Sequence, residues 1–187
     1  MKKIILASSS PRRKELLEKH NIYFIIEFEE TDEVLDESLT LSKQLENIAY
    51  QKALPIANKY PHDIVIGADT MVYFQGKMLG KPKDRGEAKR MLQQLSNNQQ
   101  LVYSSVCIID DGKVVSFTDV TMVQFKKLDE EEIEEYLDTN EWMGKAGAYA
   151  IQRIASKFIA KIKGDKDTVI GLPVRLINNY LNKGTID

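Results

Sequence analysis

The chain has 187 residues, 43% of them hydrophobic and 29% charged, with a formal net charge of −2. That size suits one globular domain, or two small lobes sharing a core, and the balance lacks the basic surplus of a protein that binds nucleic acid or an anionic membrane. A single cysteine, Cys107, leaves no intramolecular disulfide, no stretch approaches the roughly 18 apolar residues of a membrane span, and the apolar run in "MKKIILASSS" is too short for a signal sequence, so a cytoplasmic protein is expected.

In chain order, "KIILA" reads as a buried strand and Pro11 to His20 as a helix with Ser10 at its N-cap. "YFIIEF" reads as a second strand. Leu41, Leu45, Ile48, Ala49 and Ala53 have helical spacing, and Pro55 is expected to end or kink that helix. "DIVIGADTMVYF" reads as a strand interrupted at Gly67, followed by a hairpin near Gly76. A helix from about Asp84 to Ser96 opens with the capping pair Asp84 and Glu87. Two antiparallel strands joined at Asp111-Gly112 come next, then an acidic helix capped by Asp129 and Glu132 with Ile133, Tyr136 and Leu137 facing inward. "KFIAKIKGD" reads as a strand, and Pro173 opens a last helix carrying Leu176, Ile177, Tyr180 and Leu181. Strands alternating with helices, with hairpins inserted, predict an α/β fold with a mixed sheet in one domain over residues 1–187.

Five segments could carry chemistry. In "SSSPRR", Arg12 and Arg13 stand at a helix N-terminus that is already partly positive, so an anion is expected opposite them. Short Ser/Arg runs also cap ordinary solvated helices. In "VIGADT", Asp69 ends an apolar run where α/β crevices open, and could bind a divalent cation or act as a general base, with Thr70 hydrogen-bonding a ligand. By itself that segment reads more readily as an Asp-Thr turn between two strands. Lys81 in "LGKPKD" sits on a loop stiffened by proline, Asp32 and Glu33 in "TDEV" follow a strand, and "GKAGAYAIQ" supplies small residues, Lys145 and Gln152, whose amide could read a nucleobase edge. His20 and His62 are isolated, no zinc-type cluster exists, and no nucleophile elbow supports a Ser-His-Asp hydrolase. Cys107, in "VCII", reads as a buried inert thiol. Together these groups supply the arginines, lysines, carboxylates and neutral reader that a metal–nucleotide complex needs.

"LASSSPRRKELL", "TDE", "IAYQKA", "VIGADTMV", "LGKPKD", "EEEIEEYL", "GKAGAYAIQ" and "GDKDTVIGLPV", in that order from residue 4 to about 175, resemble the Maf family of nucleoside triphosphate pyrophosphatases. The resemblance implies an α/β fold like that of inosine-triphosphate pyrophosphatases, with a mixed elongated sheet, flanking helices and a deep cleft between two lobes. It implies a homodimer and hydrolysis of a nucleoside triphosphate to the monophosphate and pyrophosphate, with a divalent cation, magnesium or manganese, as cofactor. Asp69, Lys81 and Glu33 take the catalytic roles it implies, Asp69 and Glu33 hold the metal, and Ser8, Arg12, Arg13, Lys52, Thr70 and Gln152 bind substrate.

Thr70 and Gln152 resemble the subgroup acting on dTTP and UTP, with CTP and modified pyrimidine nucleotides as further substrates in a house-cleaning role. Three departures from the family pattern, at Gly144, Arg153 and Ser104-Ser105, bear on base preference more than on chemistry. No nucleic-acid polymer or membrane partner is expected. The competing expectation is a nucleotide-binding regulator of septum formation that uses the same pocket without turnover.

Overall fold

The computed structural model describes residues 2–186. Its elements in chain order are β1 (Ile4–Leu6), α1 (Pro11–Lys19), β2 (Ile25–Ile26), α2 (Leu41–Lys59), β3 (Ile64–Phe74), β4 (Lys77–Leu79), α3 (Arg85–Leu95), β5 (Gln99–Asp110), β6 (Lys113–Phe125), α4 (Glu130–Asp138), β7 (Ile159–Lys163), α5 (Lys166–Ile170) and α6 (Val174–Lys183). The strands form a seven-stranded mixed sheet of order β2-β1-β3-β5-β6-β7, with β4 paired to β3. β1 is parallel to both β2 and β3, while β3–β4 and β6–β7 are antiparallel. With helices flanking the sheet, this is the mixed α/β class the alternation predicts.

The chain divides into two compact units. The first takes the chain up to Thr70, then Ser104–Asp119, then everything from Gly171 on; the second takes Met71–Tyr103 and Val120–Ile170. β3, β5 and β6 each contribute residues to both.

In the first unit, α2 packs Ala49, Ala53 and Ile56 against Ile5, Val65, Cys107 and Ile109 of the sheet. Gly67 makes this approach possible. A Cβ there would lie 2.2 Å from the Ala49 carbonyl oxygen and 2.9 Å from the Ala53 Cβ. Two sequence expectations are corrected by this contact. Gly67 does not interrupt β3, which runs unbroken through it, because the glycine's missing side chain is used for helix packing and not for a bend. Nor does Pro55 end α2. The proline forgoes one backbone hydrogen bond, but Ile56 and Ala57 beyond it are buried, and their burial carries the helix on to Lys59.

In the second unit the core is aromatic. Phe125 meets Tyr149 edge-on at 4.8 Å between ring centroids, and Tyr136 meets Phe158 in the same way at 5.2 Å. α3 and α4 lay Ala88, Met91, Leu92 and Leu95 and Ile133, Tyr136 and Leu137 onto that core, the two stripes expected from their spacing. Both helices start as expected. The Asp84 side chain accepts from the Glu87 N–H, and Asp129 with Glu132 forms a complete reciprocal capping box.

The hairpin turns fall at Gln75-Gly76 and Asp111-Gly112, each pair in the left-handed region. The strand read in "YFIIEF" is a correction in length. The strand itself is only Ile25 and Ile26, both exposed, and beyond them a single backbone bond from the Glu27 N–H to the Leu6 carbonyl follows. The short helix α5 carried no spacing signal in the sequence. Leu176 and Leu181 of α6 are half-buried, whereas Ile177 and Tyr180 are buried.

Candidate functional site

The first unit gathers most of the predicted site residues. α1 begins at Pro11 with no acidic residue in its first turn and no side-chain cap from Ser10. Ser8 turns inward instead: its hydroxyl accepts from the Ser10 N–H at 3.3 Å and from Arg13 Nη1 at 2.9 Å. Arg13 also donates from Nε to the Gly171 carbonyl at 3.0 Å and from Nη2 to Thr70 Oγ1 at 3.3 Å. All three contacts orient one planar fork. Burial pulls the guanidinium below its ordinary value, the charge of Arg12 adds to that, and Asp69 and Glu33 push it back up. Arg12 is half-buried on the same turn.

Thr70 is similarly engaged. Its Oγ1 lies 3.2 Å from the Gly171 carbonyl and 3.0 Å from Ser104 Oγ, in addition to Arg13. One hydroxyl proton serves these acceptors, so Thr70 acts here as a fastener for Arg13 and the Gly171 turn. The sequence suggested a ligand contact for Thr70, and the structure adds this second use. Gly171, at φ +135°, closes the arrangement, and a Cβ there would stand 3.5 Å from Thr70 Oγ1.

Beside this network lies a charged cluster. Asp69, on β3, and Lys52, on the face of α2 that packs over it, meet at 2.6 Å between Oδ1 and Nζ. The same ammonium lies 2.9 Å from Glu33 Oε1, on the segment following β2. Lys52 is only 20% and Asp69 14% exposed, whereas Glu33 is about half exposed. Two carboxylates therefore converge on one position that a cation already fills. That donor set fits a divalent magnesium or manganese ion, which prefers hard oxygens and takes its remaining ligands from water and phosphate. It is not an all-protein cage: among the described residues no group of three or more His, Cys, Asp or Glu could hold a metal ion.

The second unit carries Lys81 and Gln152, both exposed, on separate segments. The Gly147 N–H donates to the carbonyl of Gly80 at 3.1 Å, which ties the segment preceding Gln152 to the residue before Lys81. Gly144 has open space where a Cβ would be, and Arg153 is exposed. The groups read from the sequence as outside the chemistry stay outside it. Cys107 is fully buried and burial raises its thiol to about 11. His62 is exposed on the surface, 3.2 Å from Asp111.

Sequence reasoning missed the Gly171 carbonyl as a partner of Arg13, 158 residues away, and the pairing of Thr70 with Ser104. No local pattern encodes either. It also missed Gln100, whose buried amide reaches the Tyr149 hydroxyl. A glutamine at an inward-facing strand position was the available signal.

A model of the family described as Maf-like protein matches residues 3–184. Over 174 residues the chain is 47% identical to a dTTP/UTP pyrophosphatase of Geobacillus sp. (strain WCH70), covering 93% of this chain and 94% of that one. It is 41% identical over 183 residues to the protein of that name from Clostridioides difficile, covering 96% and 94%, and 42% identical over 177 residues to that of Pyrococcus horikoshii, covering 93% and 92%. The Ham1 protein of Staphylococcus aureus superposes with a TM-score of 0.45 at 14% identity, covering 66% of this chain and 72% of that one, and adds nothing to the fold argued above. With the family model spanning nearly the whole chain and relatives this similar along their full length, the chain belongs to the Maf family.

Proposed function

We propose that the protein hydrolyses dTTP and UTP, and with them CTP and modified pyrimidine nucleotides, to the nucleoside monophosphate and pyrophosphate. What carries the reading is identity of 41–47% over more than nine-tenths of both chains to relatives named for that activity. The charged cluster of the first unit is compatible with it, because the reaction needs cations for a substrate of about four negative charges and a base for a water.

In this reading Asp69 accepts the proton of the attacking water as oxygen bonds to the α-phosphorus. The bond from that phosphorus to the bridging oxygen breaks in line, and its electron pair leaves on pyrophosphate. Ser8, Arg12 and Arg13 take phosphate oxygens. Arg13 does so with the N–H groups left over from its three protein contacts, which fix the direction of its fork. Lys52, in contact with Asp69 and Glu33, shares the neutralisation of the triphosphate with Arg12 and Arg13, and Thr70 contacts the substrate beside them.

Asp69 and Glu33 would also hold the divalent cation, which when bound supplies charge neutralisation at the phosphates and a more acidic water. Lys81 adds a point charge toward the phosphates, and Gln152 presents a donor and an acceptor to the base. The reading retains the cytoplasmic location expected from the composition and the homodimer implied by the sequence resemblance, whose mass light scattering checks directly. Among the described residues no helix is long and apolar enough to cross a membrane.

The test is pyrophosphate release from dTTP, UTP, CTP, GTP and 7-methyl-GTP with magnesium or manganese, run in ¹⁸O water. The expected result is release from dTTP and UTP, with the label in the monophosphate. Activity confined to purines would overturn the base assignment alone. Label in pyrophosphate would overturn attack at the α-phosphorus. Nucleotide bound with no release would replace the enzyme by the regulator.

A further inference from the structure

Two buried side-chain hydrogen bonds of the second unit converge on the segment 144–152. Tyr136, fully buried on α4, donates its hydroxyl to the Ala148 carbonyl at 3.1 Å. Ala148 has φ +65°, a conformation that costs any residue with a side chain, and it follows Gly147 at φ +67°. At Gly147 a Cβ would meet Val72 Cγ2 at 3.0 Å and Tyr149 Cε1 at 3.2 Å, so this turn is held close against β3. The next residue, Tyr149, is 6% exposed, and Gln100 donates from Nε2 to its hydroxyl at 3.3 Å. Gln100 itself is 1% exposed, and its Oε1 is buried with no hydrogen-bond partner among the described residues.

An orphaned carbonyl oxygen in a core is a standing cost to stability, and an apolar residue at position 100 would avoid it. The chain bears that cost at a residue whose one contact fixes the tyrosine three positions before Gln152. The Gly147 N–H on the Gly80 carbonyl then extends the same fixation to the residue before Lys81.

We infer that Gln100 and Tyr136 are positioning residues, whose buried hydrogen bonds to Tyr149 and Ala148, with the Gly147–Gly80 bond, hold the Gln152 segment and the Lys81 segment as one piece. Base reading by one and phosphate contact by the other are then set together. The inference rests on the nucleotide reading above, in which those two side chains meet the two ends of one substrate. A displacement of about 1 Å at such a position is enough to cost on the order of a hundred-fold in rate.

The test is the double variant Gln100→Leu with Tyr149→Phe, which removes both polar partners and leaves neither unpaired, with Tyr136→Phe as a second, independent cut. Melting temperature, kcat and KM for dTTP and CTP, and amide exchange in peptides covering 78–83 and 144–152 are measured. Expected in the double variant are a melting temperature at or above that of the parent, KM for dTTP raised about ten-fold, and the dTTP-to-CTP ratio of kcat/KM lowered about ten-fold. Exchange should rise in both segments together. A folded variant with parental KM, base ratio and exchange would overturn the inference, and so would faster exchange in 144–152 alone. If the parent releases no pyrophosphate from any nucleotide, the nucleotide reading fails, and the exchange data still decide whether the two segments are held as one. Should the double variant not fold, Tyr136→Phe gives the same readouts.

Discussion

The two units hold their functional groups by opposite means. In the first, charge does it: Lys52 between Asp69 and Glu33, and Arg13 gripped by Ser8, Thr70 and Gly171. In the second, the packed core cluster is neutral. Aromatic rings pack edge to face, and their polar tips end on backbone or amide groups, as Tyr136 does on Ala148 and Trp142 on the Leu137 carbonyl at 3.1 Å. Its ion pairs lie outside, where Arg85 and Lys89 bridge to Glu134. A half-buried charge network can change partners when a charged ligand arrives. A packed aromatic core cannot do so without a cavity or an unpaired group. The contrast suits a first unit that does chemistry and a second that keeps a fixed shape.

The sharpest way to break that contrast is Asp69→Asn. It keeps shape and removes the proposed base, so kcat should fall about 10²- to 10⁴-fold while nucleotide affinity changes little, as steady-state kinetics and calorimetry would show. Near-parental turnover would remove charge as the first unit's working principle. Gly67→Ala comes next and acts on stability. Its Cβ would run into the Ala49 carbonyl, backbone that cannot swing aside, and a loss of about 2–3 kcal/mol is expected, or a melting temperature about 4–12 °C lower by calorimetry.

A smaller effect concerns Cys107. With the thiol fully buried and raised to about 11, labelling by a thiol reagent at pH 8 should be slow in the native protein and fast in denaturant. Fast native labelling would mean that the core between α2 and the sheet opens readily.

The smallest effect sharpens the second half of the contrast. Hydrogen bonds from Lys89 and then Arg85 hold the Glu134 carboxyl below its ordinary value. A depressed carboxylate contributes above its unfolded value and loses that contribution as pH falls through the folded one. Glu134→Gln should therefore shift the melting temperature by no more than about two degrees at pH 7, and the gap from the parent should close below about pH 4.

What the sequence made legible divides along the same line. Local signals told the truth: the Asp84 cap of α3, the capping box of α4, both left-handed hairpin turns, and the inward stripes of α3 and α4 follow from residues three or four apart. Ser8, Arg12, Arg13, Glu33, Lys52, Asp69 and Thr70 of the first unit are legible in the sequence, but not what they touch. That Lys52 joins Asp69 to Glu33 depends on α2 lying across β3, and that in turn depends on Gly67 being packed against rather than bent. Gln100 was invisible for another reason. Its worth lies in a hydroxyl 49 residues further on, and a glutamine in a strand says nothing about which neighbour it will find.

Gly171 has a consequence for how the protein is made. The carbonyl that aims Arg13 is synthesised 158 residues after it, and the first unit is closed only when the segment beginning there has left the ribosome. The helix that follows, α6, brings Tyr180 to Asp110 of the same unit, a further late contact. A nascent chain stopped at residue 170 would have every segment of the second unit and an arginine still without its anchor. An anchored Arg13 therefore comes later in translation than the segments of the second unit, and a ribosome-bound chain should acquire a folded aromatic core before it acquires an ordered Arg13 fork.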